Sequence, residues 1–75
     1  MKVQLDPELV RARRRAIGRS QVEAAEVGEV TRSTLSRVEQ GEEVLSRTAL
    51  AIARGLDLDS YEDLVLVDDD EAGAA

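Results

Sequence analysis

Gln21–Gly41 reads QVEAAEVGEVTRSTLSRVEQG, and the reading of this stretch decides the fold. Ser20, just before it, stands three residues from Glu23 in the S-x-x-E pattern of a capping box. In that pattern each side chain accepts a hydrogen bond from the free backbone N–H of the other residue. Val22 and the small Ala24 and Ala25 then permit close approach by another helix, and Gly28 ends a unit of about two turns. Val30-Thr31 opens the next helix, with Thr31 as its cap and Val30 placed to pack on Leu35 as a hydrophobic staple. Leu35 and Val38 continue an inward stripe, Arg32, Ser33, Ser36 and Arg37 face outward, and Gly41 closes the helix. Two short helices meeting at a tight turn are the predicted centre of the chain.

Working outward toward the N-terminus, Met1–Leu5 alternates apolar and polar residues over a short span, which fits an arm or one strand of a small ribbon. Asp6-Pro7-Glu8 is a strong helix start: a capping Asp, Pro at the first helical position and an acid beside the positive end of the dipole. The first helix is expected from about Pro7 to Ile17, stopping at Gly18. Val10 and Ile17, a heptad apart and flanked by Leu9 and Ala16, form its core stripe, while Arg11, Arg13, Arg14 and Arg15 take the remainder, most of them in solvent.

Toward the C-terminus, Glu42–Leu45 reads as a linker, and Ser46 as the cap of a fourth helix over Arg47 to about Arg54. Ala49, Ile52, Ala53 and Leu56 repeat at helical spacing, and Leu58 turns back into the core. Ser60-Tyr61-Glu62-Asp63 resembles a capping box with Asp in place of Glu. Leu64-Val65-Leu66-Val67 fits either a buried helical turn or a short strand. The favoured reading is a helix to about Leu64, with a ribbon pairing Val3 and Leu5 with Val65 and Val67 as the open alternative. Residues 68–75, DDDEAGAA, read as an acidic disordered tail. The fold class expected is therefore all-α, a bundle of about five short helices over residues 1–67, with the terminal β-ribbon held open.

The totals bound the function. Seventy-five residues make a single small domain, with no cysteine to staple it and twenty Leu, Val and Ile side chains to pack. No apolar run is long enough to cross a membrane, and no secretory apolar core follows Met1-Lys2, which makes cytoplasmic the default location. The net charge of −6 is unevenly spread. Residues 1–37 carry eight Arg/Lys against five Asp/Glu, and residues 38–75 carry two against eleven. This suggests a basic working half and an acidic remainder. An outer helix face of short hydroxyls and arginines, without a long apolar anchor, suits phosphates and base edges better than burial in a protein partner. Without His or Cys, a Ser nucleophile lacks its usual base, and there is no phosphate loop, no transition-metal site and no implied cofactor. An enzyme is not expected.

Gln21–Gly41 resembles the helix-turn-helix of the phage-repressor-like family, which includes lambda-type repressors, Cro-like proteins and bacterial regulators. The resemblance rests on Ser20-Gln21, Ala25, Val30–Arg37 and Glu39-Gln40-Gly41. Arg14 and Gly18 upstream and Leu50–Leu56 downstream fit the same pattern, so that it spans roughly residues 9–66. It implies that Arg32, Ser33 and Arg37 read base edges, and that Gln21, Thr34, Gln40 and Arg47 contact phosphates. It further implies that Arg14 and Glu39 tie the first helix to the third. The implied partner is double-stranded DNA, bound on a near-palindromic operator by a homodimeric transcriptional regulator of repressor or autoregulator type. Residues 61–67 are the expected dimer interface, because their apolar side chains exceed what so small a core needs.

Three residues or pairs depart from the family pattern. The glycine that usually makes the corner aligns with Glu29, so either Glu29 takes a left-handed conformation or the turn is re-formed around Gly28. Arg19 replaces a leucine, its stem free to cover core while its head reaches outward. Glu42 and Glu43 occupy the loop after the third helix, where basic residues often grip phosphate, and so lower the expected salt dependence. These acids motivate a second reading, a protein-interaction module or antitoxin-like protein that keeps the fold and binds a basic protein partner.

Overall fold

Val3 and Leu5 are buried to 1% and 0% exposure, and the strand that carries them is the middle of a sheet. The computed structural model of the chain describes residues 1–68. In order, it holds strand β1 (Lys2–Leu5), helix α1 (Pro7–Ala16), helix α2 (Gln21–Gly28), helix α3 (Arg32–Val38) and strand β2 (Val44–Leu45). Helix α4 (Ser46–Gly55), a 3-10 turn (Glu62–Leu64) and strand β3 (Val65–Asp68) complete it. β1 pairs antiparallel with both neighbours in the order β2-β1-β3: Lys2 lies opposite Leu45 and Val3 opposite Val44 on one side. On the other side Val3 lies opposite Asp68, Gln4 opposite Val67, and Leu5 opposite Val65 across a bulge.

The architecture thus corrects the expectation of an all-α bundle of five helices. Four α-helices pack with a three-stranded antiparallel sheet, and the ribbon alternative is the one realised. The physical reason lies in pairing rather than propensity. Val3 and Leu5 need cover on one face, and the apolar run after Leu64 supplies a strand because Asp6 N–H donates to the Leu64 carbonyl at 2.7 Å, bringing the two segments side by side. Val44-Leu45, expected as linker, becomes a strand by the same logic. Two residues are too few to show a period, so only their partner makes them β. The acidic stretch expected as a tail lies, from residue 69 onward, outside the described residues; Asp68 itself ends β3.

The helix starts follow local chemistry. The Asp6 carboxylate accepts from Glu8 N–H at 2.9 Å, with Pro7 in the first turn of α1. Ser20 and Glu23 close a reciprocal capping box at 3.1 and 3.0 Å. Hydrogen bonds from the Ser20 backbone N–H and from its side chain hold the Glu23 carboxyl below the ordinary carboxylate range. Thr31 Oγ1 accepts from Thr34 N–H at 3.1 Å, and Val30 packs half-buried on the cluster that contains Leu35. Ser46 differs from expectation. It is the first residue of α4, preceded by Leu45, which offers no capping side chain; the Ser46 N–H goes instead to the Met1 carbonyl at 3.1 Å. Ser60 does not cap a full helix either. Its hydroxyl accepts from Glu62 N–H at 3.1 Å and turns the chain into the 3-10 segment.

Glycine decides how closely α2 and α4 cross. A Cβ on Gly28 would strike the Ala51 carbonyl oxygen, and one on Gly55 would strike the Ala24 carbonyl oxygen. Two backbones therefore meet almost directly, with Ala24, Ala25, Ala49 and Ala53 buried around them. This contact explains why the glycine stands at 28 and not at 29: the helix crossing claims it. The corner residue Glu29 accordingly takes the left-handed conformation itself, φ 59° and ψ 39°.

α1 departs from its expected stripe. Val10 is fully buried and Ile17 packs on the core, but Leu9 and Ala16 are exposed. Most of the arginines are not free in solvent. Arg13 Nε donates to the Leu56 carbonyl at 2.9 Å, and Arg11 Nη1 to the Glu39 carbonyl at 3.1 Å. Arg19 Nη1 reaches the Gly55 carbonyl at 2.9 Å and Asp57 Oδ1 at 2.7 Å. The Arg19 side chain is half-buried while its head reaches the end of α4, as a long amphipathic side chain can. These side chains occupy the carbonyls left without partners at the ends of α3 and α4.

Candidate nucleic-acid interface

Arg14 sets α3 in place. Its Nε donates to Glu39 Oε2 at 3.0 Å and its Nη2 to Glu39 Oε1 at 3.1 Å, a bidentate pair, while Nη1 holds the Arg19 carbonyl at 3.1 Å. Glu39 caps the C-terminal end of α3 and is only 5% exposed, so the ion pair fixes both the roll and the tilt of that helix against α1. Leu35 and Val38 complete the inner face at 1% and 0% exposure.

With that face fixed, the outer one is determined. Positions 32, 33, 36, 37 and 40 fall within roughly 140° of arc at 3.6 residues per turn. Arg32, Ser33, Arg37 and Gln40 are exposed and Ser36 is half-buried. They line one shallow groove with Thr31 and Glu42. Gln40 Nε2 sits 3.4 Å from Ser36 Oγ, and Thr31 and Thr34 share a hydroxyl contact at 2.8 Å. Ion pairs among the described residues join Arg11 to Glu8, Arg14 to Glu39 and Arg19 to Asp57, and none engages Arg32 or Arg37. Two guanidinium groups are thus held on a rigid helix with their donors facing out.

The residues singled out from the sequence do not all converge. Arg32, Ser33, Arg37 and Gln40 share the groove, and Thr34 lies on the other flank of Arg37, in a second groove with Lys2, Glu42, Glu43, Val44, Leu45 and Thr48. Gln21 stands at the first position of α2 and Arg47 at the second position of α4, outside both grooves. Ser36 lines the first groove, on the outward face where the helical period put it, whereas the sequence reading took Thr31 only as a cap and missed it as a groove member. It also missed Lys2 and Thr48, which no local pattern marks. Glu42 lies in the loop beyond the helix, as expected, and from there lines the groove beside Arg37, its N–H bonding back to the Arg37 carbonyl at 3.0 Å.

No metal-binding group of His, Cys, Asp and Glu occurs among the described residues, and no helix there is long and apolar enough to cross a membrane. No curated protein and no solved structure matches the chain. A protein-family model described as helix-turn-helix, of the Cro/C1 type, matches residues 10–62, about seven-tenths of the sequence. That span begins at Val10 within α1, takes in α2 through α4 and stops before β3, leaving β1 outside it as well. Domains of this kind bind double-stranded DNA and belong to transcription regulators. With its capped α2, its left-handed corner at Glu29 and its outward arginines on α3, this chain belongs to the helix-turn-helix family.

Proposed function

We propose that the protein is a sequence-specific transcriptional regulator of repressor or autoregulator type, laying α3 in the major groove of a near-palindromic operator. The observation that carries this reading is the outer arc of α3: two arginines unpaired among the described residues, flanked by short hydroxyls and an amide, with no apolar anchor. Arg32 and Arg37 offer the forked donors that match O6 and N7 of guanine, and Ser33 reads the adjacent edge. Gln21, Thr34, Gln40 and Arg47 contact phosphates, fixing register without reading sequence.

The protein works as a homodimer. A chain of this size binds one half-site, and two copies related by a two-fold axis place their α3 helices about 34 Å apart, one turn of DNA. Residues 61–67 supply the interface. β3 is an edge strand, and Leu66 on it is 54% exposed. The tests are direct. Fluorescence anisotropy against DNA selected from a random pool should show Arg32→Ala and Arg37→Ala each losing about 1–3 kcal/mol on the selected duplex and far less on a scrambled one. Equal binding of both duplexes by all three proteins refutes specific readout. Sedimentation at tens of micromolar should give a dimer.

Glu42, in the groove itself, favours a second reading, a module that keeps the fold and binds a basic protein partner in the manner of an antitoxin. Retention of such a partner, together with no DNA retention at low salt, would establish it over the first.

A further inference from the structure

Lys2 lies outside the stretch that matches the helix-turn-helix family, residues 10–62. The sheet nevertheless carries it to the edge of the reading face. Val3, its neighbour on β1, is buried at 1%, and alternation along a strand turns Lys2 to the opposite side, where it is exposed. Its pairing partner Leu45 belongs to the two-residue strand that leads directly into α4. As a result Lys2 lines a groove with Thr34 of α3, Arg37 of α3 and Thr48 of α4, together with Glu42 and Glu43. Arg37 and Glu42 line this groove and the reading groove alike, so the two lie side by side.

We propose that Lys2 and Thr48, with Thr34, form a ledge that binds a DNA backbone phosphate flanking the major-groove segment read by α3. The inference rests on that reading of α3. The chemistry fits one anion. Lysine is a compact point charge suited to phosphate, and the two threonine hydroxyls are neutral donors of the kind that position a duplex. A backbone flanking the groove entered by α3 passes along its side, and on this side Lys2, from a strand, adds a cation beside Arg37 where the loop after α3 offers only Glu42 and Glu43. Glu42 and Glu43 face the same groove, and no ion pair among the described residues ties either of them to Lys2. Lys2 therefore keeps its charge available to a ligand, and it offsets the two carboxylates that would otherwise repel the duplex.

The test uses the full chain and a duplex selected by it, with affinity followed by anisotropy between about 50 and 200 mM salt. Lys2→Gln should make the slope of log K against log salt shallower by about 0.9, one phosphate's share, to a similar degree on selected and scrambled duplexes. Lys2→Arg should keep the slope, and Thr48→Val should weaken binding without changing it. The decisive arm repeats Lys2→Gln in a Glu42→Gln/Glu43→Gln background. The same change in slope there establishes direct phosphate contact. No change there means that Lys2 only screens the acidic loop and overturns the ledge. An unchanged slope for Lys2→Gln beside a large loss for Arg32→Ala overturns the ledge while leaving the reading of α3 standing. A wild-type chain that retains no duplex overturns both.

Discussion

Replacing Arg14 should cost the fold more than replacing the residue it pairs with. The Glu39 side chain is 4% exposed and the Arg14 side chain 16%. Among the described residues, both Glu39 carboxylate oxygens accept from Arg14 alone. Arg14→Met therefore strands a buried carboxylate, at a cost of roughly 3–5 kcal/mol. Glu39→Gln is milder, on the order of 1–3 kcal/mol, because Arg14 keeps the Arg19 carbonyl and enough exposure to recruit water. A domain of this length has a total stability of only about 4–11 kcal/mol, so the first change removes a large share of it. At about 4–8 °C per kcal/mol, the midpoint should fall by 12 °C or more. The double variant Arg14→Met/Glu39→Met, apolar on both sides, should return to within about 1 kcal/mol of the parent. Thermal and urea melts followed by circular dichroism measure all three. A cost for Arg14→Met no greater than that for Glu39→Gln, or a double variant less stable than Arg14→Met, refutes the account of a buried charge that needs its partner.

Four further outcomes are expected. Gly28→Ala and Gly55→Ala each force a methyl group onto a backbone carbonyl of the facing helix and should destabilise by about 1–3 kcal/mol in urea, and by more if the helices cannot part. Glu29→Gly should stabilise by roughly 0.5–1 kcal/mol, since a left-handed non-glycine residue costs about 1–2 and glycine's entropy returns part of it; a lower urea midpoint would count against the strain. Because hydrogen bonding lowers the folded-state pKa of Glu23, its contribution is complete above the ordinary carboxylate value and is lost as pH falls through the lowered one. The stability gap between parent and Glu23→Gln should accordingly be full at neutral pH and close in acid. Lastly, if Lys2 and Arg47 are the cations each chain sets on phosphates while Arg32 and Arg37 read bases, the salt slope should approach about −1.8 for one chain and about −3.6 for a dimer. A slope near zero would mean that neither residue touches a phosphate.

Much of the fold was legible because its signals are local. The Ser20–Glu23 box, the Thr31 cap and the Asp6-Pro7 start each act within one helical turn, and the structure forms each where its residues stand. The sheet was legible only as an alternative. Lys2–Leu5 and Val65–Asp68 are four residues each, Val44-Leu45 is two, and what makes them strands is a partner more than 40 positions away. The glycine puzzle at positions 28 and 29 was visible in the sequence, but its resolution was not. Whether a glycine serves a corner or a crossing depends on what lies opposite, here the Ala51 carbonyl. In the candidate site, helical period was enough to gather Arg32, Ser33, Ser36 and Arg37, and the family resemblance added Gln40. Lys2 and Thr48 join them only through the β1–β2 pairing, which no period records.

The charge count carries a related lesson. By sequence the first 37 residues look like a basic working half, yet Arg11, Arg13, Arg14 and Arg19 spend their donors on the ends of α3 and α4 and on Glu39 and Asp57. Their role is to satisfy carbonyls and a buried acid where this small core has too little apolar surface to close those ends. What remains for a ligand on the α3 side is Lys2, Arg32 and Arg37, set against Glu42 and Glu43 in the adjoining grooves. A surface with so few net positive charges cannot hold DNA by field alone, because non-specific affinity grows with the number of phosphates neutralised. On the function proposed above it draws instead on geometry, through arginines on a helix whose roll is locked by the Arg14–Glu39 pair, and on the pairing of two copies. Joining two such readers makes the second binding event intramolecular and multiplies a modest grip without adding a contact. On this account the arginines of α1 contribute to recognition indirectly: they stiffen the frame that lets a few charges suffice.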